Sequence, residues 1–355
     1  MTFDLLSLGW DDDLAAAYAH YDRPHRCAAR VARVDRGVCT VLTAGGTLRA
    51  TIAGSMLAAA ARDPVALPCA GDWAVVHTWP DRRITIETVL PRRTAIVRAA
   101  AGPESVGQVL ATNMDAAAVV EPMEPTPDAG RVERLLALAW ESGARPLVVL
   151  SKADVVADPA AVAAQIAESA PGIPVYAVSA RTGRGLAQLR TYVGFGRTLG
   201  LLGRSGAGKS SLVNALAGAT VMTTQALRAD GRGRHTTTYR ALVPLPGGGL
   251  VLDTPGVRAV GLVDTSVGLE LAFAEVTTLA TRCRFTDCRH SAEPDCAVRA
   301  ALVDGTLSPR RLENWRRLLA EQELHGLRRD ARLAALGRSG YRWQSKQERR
   351  RQSRP

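Results

Sequence analysis

The segment Gly203-Arg-Ser-Gly-Ala-Gly-Lys209-Ser210 has the glycine and lysine spacing of a phosphate-binding loop. It follows an apolar run, 198–202, that predicts a strand, and it precedes a helix predicted to begin near Lys209. Glycines let main-chain N–H groups converge on phosphate oxygens, while Lys209 can reach the β and γ phosphates and Ser210 can bind Mg²⁺. A glycine-rich turn that binds nothing is the alternative, which this context disfavours. Nucleotide contacts are expected from Gly203, Arg204, Ser205, Gly206, Ala207, Gly208, Lys209, Ser210 and Ser211.

An acidic residue, Asp253, follows another apolar strand and opens the segment Asp253-Thr-Pro-Gly256. In phosphate-loop hydrolases an acid at this place holds the Mg²⁺ shell, and the following glycine senses the γ phosphate through its main-chain N–H. The polar stretch 231–238 contains consecutive threonines, one of which could complete the Mg²⁺ shell. We favour Thr237 over Thr236, although threonines also begin many strands without binding anything.

Two further segments follow predicted strands and resemble the base-recognition motifs of GTPases. Ser151-Lys152-Ala153-Asp154 is similar to their Asn-Lys-x-Asp motif, and Ser179-Ala180 is similar to their Ser-Ala motif. The resemblance implies that Asp154 accepts two hydrogen bonds from the guanine edge while the stem of Lys152 packs on the purine face. Adenine lacks both donors, and leaving that carboxylate unpaired would cost about 2–4 kcal/mol. The predicted nucleotide is therefore GTP.

The base motifs depart from those of an ordinary GTPase in two respects. Ser151 stands where asparagine is usual, which removes an amide that braces the loop, and we expect weaker guanine binding without a change of base. The base motifs also precede the phosphate loop, whereas the usual order ends with them. The same sheet can form from such a rotated chain, since domain termini tend to lie close together. The rotation leads the chain after Gly256 into a cysteine-rich region, which nucleotide state could then move directly.

A cluster of three cysteines and one histidine follows: Cys283, Cys288, His290 and Cys296. Three thiolates and one imidazole make a full tetrahedral shell for structural Zn²⁺, with no position left for a catalytic water. Chance cysteines in a helical region are the alternative, which the absence of other clustering weakens. The scattered cysteines are predicted to be small core residues in a reducing compartment: Cys27, Cys39 and Cys69.

Periodicity along the chain predicts a multidomain protein. Five short β-rich runs predict a small barrel, either of the oligonucleotide-binding type or SH3-like. Alternating strands and helices then predict a doubly wound α/β domain with a largely parallel sheet. Helices at 267–278 and 308–324 predict a small helical zinc-binding domain. The predicted segments are an arm with a short helix at 1–24, the barrel at 25–98, the α/β phosphate-loop domain at 99–262, the zinc-binding helical domain at 263–337 and a basic, disordered tail at 338–355.

The 355-residue chain has a net charge of +11, and residues 326–355 hold ten Lys or Arg against two acidic residues. Such a tail is either a solvated end or a contact for nucleic-acid phosphates, whose neutralisation releases counterions. No apolar run approaches the roughly 18–20 residues that cross a bilayer, and the segment 1–13 is acidic rather than basic. We therefore expect a cytoplasmic protein with no membrane partner.

The rotated motif order and four segments together resemble one family over nearly the whole chain. The segments are Leu90-Pro-Arg-Arg-Thr94, Gly233-Arg-His-Thr-Thr-Thr238, Asp253-Thr-Pro-Gly-Val257 and the cysteine–histidine cluster. The family is ribosome small-subunit-dependent GTPase A, a group of circularly permuted bacterial GTPases. The resemblance implies an oligonucleotide-binding barrel, a central GTPase domain and a zinc-binding helical domain. It also implies action on the small ribosomal subunit and its rRNA during late maturation, with GTP and Mg²⁺, one Zn²⁺ and, we expect, a monomeric chain.

Val257 stands where many GTPases have a catalytic glutamine. Valine cannot orient a water molecule, so we expect slow hydrolysis by the free protein and acceleration when the ribosome orders residues 231–238. His235 is the candidate for positioning that water, and a structural loop histidine is the alternative. Two other functions remain open: a nucleotide-switched RNA-binding assembly scaffold with incidental hydrolysis, and an ATP-using enzyme such as a small-molecule kinase.

Overall fold

The computed structural model describes residues 2–99, 107–222, 240–254, 266–327 and 330. A short helix, α1 (Asp12–Ala19), leads into a barrel formed by β1 (Arg26–Asp35), β2 (Val38–Thr43), β3 (Gly46–Ile52), β4 (Trp73–Thr78) and β5 (Ile84–Val89), with α2 (Gly54–Ala60) between β3 and β4. In the part of the chain described, no helix is long and apolar enough to cross a membrane.

The barrel is closed by pairing β4 with both β5 and β1. β3 pairs with β5 in parallel, whereas the other barrel pairings are antiparallel. Alternate side chains from the strands fill the interior, among them Ala29, Val31, Val41, Val76 and Ile86. The five-stranded closure with a helix after β3 confirms the oligonucleotide-binding type over the SH3-like alternative.

A hairpin, β6 (Ala95–Ala99) and β7 (Gly107–Thr112), leads from the barrel into the central domain. The elements of that domain are β8 (Ala116–Pro122), α3 (Ala129–Glu141), β9 (Arg145–Ser151), α4 (Pro159–Ala167), β10 (Val175–Ala177), α5 (Leu186–Arg190), β11 (Thr198–Leu202), α6 (Lys209–Ala217), β12 (Ala241–Pro244) and β13 (Leu250–Asp253).

The central sheet has the strand order β10-β9-β8-β11-β13-β12, and only β12 runs antiparallel to its neighbour. β8 to β10 come first in the chain yet pair on one side of β11, while β12 and β13 lie on the other side. The rotated motif order is therefore accommodated in one continuous sheet. β8 and β11 are buried along their whole length, as expected for parallel strands covered on both faces.

The C-terminal region is helical, with α7 (Ser266–Ala272), α8 (Ala274–Ala280), α9 (Ala297–Val303) and a long helix over residues 309–327, here α10. The prediction of a single helix at 267–278 is wrong in one respect. The helix is interrupted at the buried Phe273, which separates α7 from α8. The helix predicted from Ser308 is confirmed, and the Ser308 hydroxyl accepts a hydrogen bond from the N–H of Arg311.

A buried arginine, Arg30 of β1, joins three parts of the chain. Its guanidinium donates to the carbonyl of Leu8 before α1, to the carbonyl of Gly71 in the barrel (2.9 Å) and to that of Asn113 before β8 (2.8 Å). Burial lowers the pKa of Arg30 to about 10. The N-terminal residues thus pack against both the barrel and the central sheet.

The scattered cysteines lie in the barrel region, as predicted for core residues. Cys39 and Cys69 are buried and Cys27 is half-buried. Burial raises the pKa of Cys39 to about 11 and that of Cys69 to about 12, so both remain thiols at neutral pH.

Candidate nucleotide-binding and metal sites

The phosphate-binding loop lies between β11 and α6, as the sequence predicts. Gly208 has φ +88°, a conformation that glycine adopts without strain, and it lets the chain turn directly into α6. Lys209 is buried, and its ammonium donates to the carbonyls of Gly203 (2.7 Å) and Arg204 (3.0 Å). Burial lowers the pKa of Lys209, while Asp253 opposes that shift. The loop thus folds around its own lysine, at the N-terminus of a helix suited to anions.

Two oxygen-bearing side chains that could bind Mg²⁺ converge beside the phosphate-binding loop. β11 and β13 are parallel neighbours, with Leu201 opposite Asp253, so Asp253 comes next to the start of α6. The Ser210 hydroxyl donates to Asp253 Oδ2 over 3.1 Å. Asp253 Oδ1 is buried and has no hydrogen-bond partner among the described residues. A hydroxyl and an unsatisfied carboxylate oxygen fit the oxygen ligation that Mg²⁺ prefers.

The electrostatics of Asp253 also favour a cation. The residue is 1% exposed, and burial raises the pKa of its carboxyl, against the opposing effects of Lys209 and Ser210. An ionised carboxylate is costly in this position unless a cation compensates it. The strand end is held firmly, because the Thr254 hydroxyl donates to the carbonyl of Leu201 over 2.6 Å.

The predicted base motifs lie together at the ends of β9 and β10. The N–H of Ala153 donates to the carbonyl of Val178 (3.1 Å), which joins the two loops. The buried Ser179 hydroxyl donates to Asp154 Oδ1 over 2.5 Å. Lys152 has φ +59°, which is uncommon for a non-glycine residue and is often found at functional loops. The structure therefore brings together every residue predicted for base recognition.

Arg181 also contacts the base motif, which the sequence reasoning missed. Its Nε donates to Asp154 Oδ2 over 2.7 Å. The hydrogen bonds from Ser179 and then Arg181 lower the pKa of Asp154, so this carboxyl is ionised at neutral pH. The position of Arg181 directly after Ser179-Ala180 is the only sequence signal that could have identified this residue.

Ser151 connects the base motif to the phosphate-binding loop. It ends β9, is 2% exposed, and donates from Oγ to the carbonyl of Ala207 over 2.6 Å. Serine in place of the usual asparagine is expected to remove an amide that braces the loop and to weaken guanine binding, and this stays a prediction. The Ser151 hydroxyl does supply a hydrogen bond between the two loops.

Several predicted residues lie outside the described part of the chain. They are His235, the threonines Thr236, Thr237 and Thr238, Gly256 and Val257. Their predicted roles in hydrolysis and in Mg²⁺ binding therefore remain predictions.

The four predicted metal ligands lie in one cluster between α8 and α9. The ligand atoms of Cys283, Cys288, His290 and Cys296 are all within 4.8 Å of one another. His290 Nδ1 lies 3.5 Å from both Cys283 Sγ and Cys296 Sγ, which are 3.8 Å apart. In a tetrahedral site the bonds are about 2.3 Å to sulfur and about 2.0–2.1 Å to nitrogen. The sulfur–nitrogen separation is then roughly 3.5 Å, and the sulfur–sulfur separation is roughly 3.8 Å. The separations among Cys283, His290 and Cys296 match such a site, and Cys288 is close enough to supply a fourth ligand.

Helix α10 covers the metal cluster. The Trp315 ring lies 5.8 Å from the His290 ring, and the Arg316 guanidinium donates to the His290 carbonyl over 2.5 Å. These contacts hold His290 against α10.

A group of charged residues, separate from the cysteine–histidine cluster, holds the C-terminal helices against α3. Glu133 of α3 is fully buried and accepts from Arg310 (2.8 Å), Arg311 (3.0 Å) and the Asn314 side chain. Arg311 also pairs with Glu275 of α8. Close packing accompanies these bonds: a Cβ at Gly268 of α7 would lie 2.1 Å from an α3 carbonyl. The helical region is therefore bound tightly to the central domain.

Comparison with known proteins places the chain in one family. Residues 89–263 match the family model described as RsgA GTPase. The Small ribosomal subunit biogenesis GTPase RsgA of Streptomyces coelicolor is 49% identical over 95% of this chain and 92% of that protein. The protein of the same name from Methanosarcina acetivorans is 36% identical over 94% of this chain and 89% of that protein.

Solved structures show the same fold. YjeQ from Thermotoga maritima matches with a TM-score of 0.61 at 24% identity, covering 83% of this chain and 98% of that one. YloQ, a circularly permuted GTPase, matches with a TM-score of 0.57 at 22% identity, covering 86% of this chain and 97% of that one. With a permuted phosphate-loop sheet and relatives that match along nearly its whole length, this chain belongs to the RsgA family of GTP-hydrolysing enzymes.

Proposed function

We propose that this protein binds the small ribosomal subunit and its rRNA, acts in late maturation of that subunit, and hydrolyses GTP faster when bound to it. Relatives that match over most of the chain are named for small ribosomal subunit biogenesis. The observation that carries the chemistry is the convergence of Lys209, Ser210, Asp253 and Asp154 at one end of the permuted sheet.

Each part of this site has a distinct role in the proposed reaction. Main-chain N–H groups of residues 203–208 and the Lys209 ammonium hold the phosphates. Ser210 and Asp253 would hold Mg²⁺, and Thr237 would complete its shell. When bound, the ion would supply positive charge to the phosphate oxygens. Gly256 senses the γ phosphate, and His235 positions the attacking water in place of the side chain that Val257 cannot supply.

Recognition of the base is assigned to Asp154, whose carboxylate is held ionised and oriented by Ser179. The stem of Lys152 packs on the purine, and the main chain of Ala153 and Ala180 lines the same loop pair. Guanine supplies two adjacent donors, its ring N–H and its 2-amino group, and adenine lacks both of them, so the site selects GTP.

The metal in the C-terminal cluster is proposed to be one structural Zn²⁺. Three sulfur ligands and one imidazole in a tetrahedral arrangement are typical of zinc, and they leave no position for a reactive water. The ion would hold the segment between α8 and α9 in place, since that segment has few apolar side chains to form a core of its own.

The decisive experiment measures GTP turnover by the purified protein alone, with small ribosomal subunits and with large subunits. We expect slow hydrolysis by the free protein and strong stimulation by small subunits only. His235→Ala should reduce the stimulated rate. Single-turnover hydrolysis that small subunits leave unchanged would instead support a nucleotide-switched scaffold, and tighter binding of ATP than GTP would overturn the base assignment.

RNA contact by the basic tail has its own test. Removing residues 338–355 should flatten the dependence of subunit affinity on salt, by roughly one unit of slope for each lost phosphate contact. An unchanged slope would show that the tail is a solvated end that does not contact RNA. The sequence patterns further support a division of the chain after residues 24, 98, 262 and 337 and a cytoplasmic location, and we propose a monomeric state.

A further inference from the structure

The carboxylate assigned to guanine already has a partner from the chain itself. Asp154 Oδ2 accepts from Arg181 Nε over 2.7 Å, and Oδ1 accepts from Ser179 over 2.5 Å. Both oxygens that a guanine base would use are therefore engaged in the structure.

The two partners of Asp154 differ in how firmly they are held. Ser179 is fully buried, and its hydroxyl also accepts from the N–H of Thr182 over 3.1 Å. The Arg181 side chain is 73% exposed, whereas that of Asp154 is 12% exposed. A guanine entering from solvent can therefore displace Arg181 much more easily than Ser179.

The chemistry of Arg181 matches that of the base. On the Watson–Crick edge of guanine, the ring N–H and the amino group have their nitrogens bonded to the same carbon. The nitrogens of a guanidinium are likewise bonded to one carbon, so both groups present adjacent N–H donors. Planar forks of this kind are well suited to a carboxylate. Arg181 thus offers Asp154 a substitute for the guanine edge.

We propose that Arg181 is a specificity-determining residue that competes with the guanine base for Asp154. A guanine donor to Oδ2 competes with Arg181 Nε for that oxygen. Adenine lacks both donors by which guanine meets this carboxylate and leaves the pair intact. Arg181 therefore weakens binding of guanine nucleotides in particular and narrows the preference for guanine over adenine. The inference rests on the assignment of Asp154 to the base.

The test compares the affinities of Arg181→Ala and wild type for GDP and ADP, measured with fluorescent nucleotide analogues. Exposed ion pairs are worth little, so we expect Arg181→Ala to bind GDP about two- to fivefold more tightly and ADP equally well. The matched control is Arg184→Ala, which removes an exposed arginine from the same loop and should leave both affinities unchanged. In 0.5 M salt, which screens the exposed pair, the GDP affinities of wild type and Arg181→Ala should converge.

Several outcomes would overturn the proposal. GDP binding that is unchanged or weaker in Arg181→Ala would show that the arginine does not compete with guanine. An equal gain for ADP would show a general effect of charge on nucleotide binding. Asp154→Asn separates this failure from that of the base assignment: if the variant still prefers GDP to ADP, Asp154 does not read the base. If that preference is lost while Arg181→Ala has no effect, only the competition is refuted.

Discussion

The Ser151 hydroxyl lies 2.6 Å from the carbonyl of Ala207 and donates a hydrogen bond to it. This bond joins the loop proposed to read the base to the loop proposed to hold the phosphates, across 56 positions of sequence. Because Ser151 is buried at the end of β9, the bond fixes the spacing between the two halves of the nucleotide site. Ser151, which departs from the usual motif, thus links the two loops through its hydroxyl.

Loss of this bond should weaken nucleotide binding. Ser151→Ala leaves the Ala207 carbonyl without its donor, which typically costs about 1–2 kcal/mol. If that cost falls on the bound geometry, the Kd for GDP should rise roughly five- to thirtyfold. Ser151→Thr is the matched control, because it keeps the hydroxyl and should stay within about threefold of wild type. Equal affinities for Ser151→Ala and wild type would show that the bond does not position the site.

Neutralising Asp253 should have opposite effects on folding and on Mg²⁺ binding. Burial raises the pKa of this carboxyl above its ordinary value, so its contribution to stability is present at low pH and is lost as pH rises through the folded-state pKa. At neutral pH the ionised group therefore opposes folding. Asp253→Asn should increase the free energy of unfolding of the nucleotide-free protein at pH 7, while Mg²⁺ should no longer tighten GTP binding.

Urea denaturation at two pH values checks the first effect, and GTP titration with and without Mg²⁺ checks the second. The stability difference between Asp253→Asn and wild type should shrink as pH falls towards 4. A variant that is less stable than wild type at pH 7 would contradict the assigned effect of burial.

The attachment of the C-terminal helices should depend on one buried carboxylate. Glu133→Ala leaves Arg311, which is nearly fully buried, without one of its partners, and breaking a buried pair typically costs about 3–5 kcal/mol. Glu321→Ala is the matched control, because Glu321 of α10 pairs with Arg134 of the same helix α3 at a partly exposed position. Its loss should cost about 0–1 kcal/mol.

Chemical denaturation compares the two variants, and limited proteolysis reports whether α10 detaches from α3. Similar losses of stability in both variants would contradict the special role of the buried cluster.

Local sequence patterns were sufficient for most elements of the fold. The strand predicted at 198–202 matches β11, because it is a short apolar run followed by the glycine-rich loop. The phosphate loop and the metal ligands could be predicted because their spacing along the chain is itself the chemical signal. The helix α2 and the hairpin of β6 and β7 were missed, since short elements carry little periodicity.

Contacts between distant segments could not be predicted. Glu133 reads as one more polar residue of an amphipathic helix, and its burial depends on Arg311, 178 positions away. The break at Phe273 follows from packing of that side chain into the core, since the sequence there retains helical periodicity. The Ser151–Ala207 bond likewise depends on how two loops face each other in the folded sheet.

Removal of the proposed Zn²⁺ should loosen α10 as well as the cysteine loop. The proposed ligand His290 contacts Trp315, and the carbonyl of His290 accepts a hydrogen bond from Arg316. Because both partners belong to α10, the ion would fix a surface on which α10 packs. Elemental analysis should find one zinc per chain in wild type and none in Cys288→Ser. Cys27→Ser, which changes a half-buried cysteine in the barrel, is the matched control and should retain the metal.

Chelation of wild type should lower the thermal midpoint of unfolding. It should also change the fluorescence of Trp315, which is identified by subtracting the signal of a Trp315→Phe variant. A chelated protein with an unchanged midpoint would show that the cluster folds without its ion, since structural zinc normally supplies folding free energy.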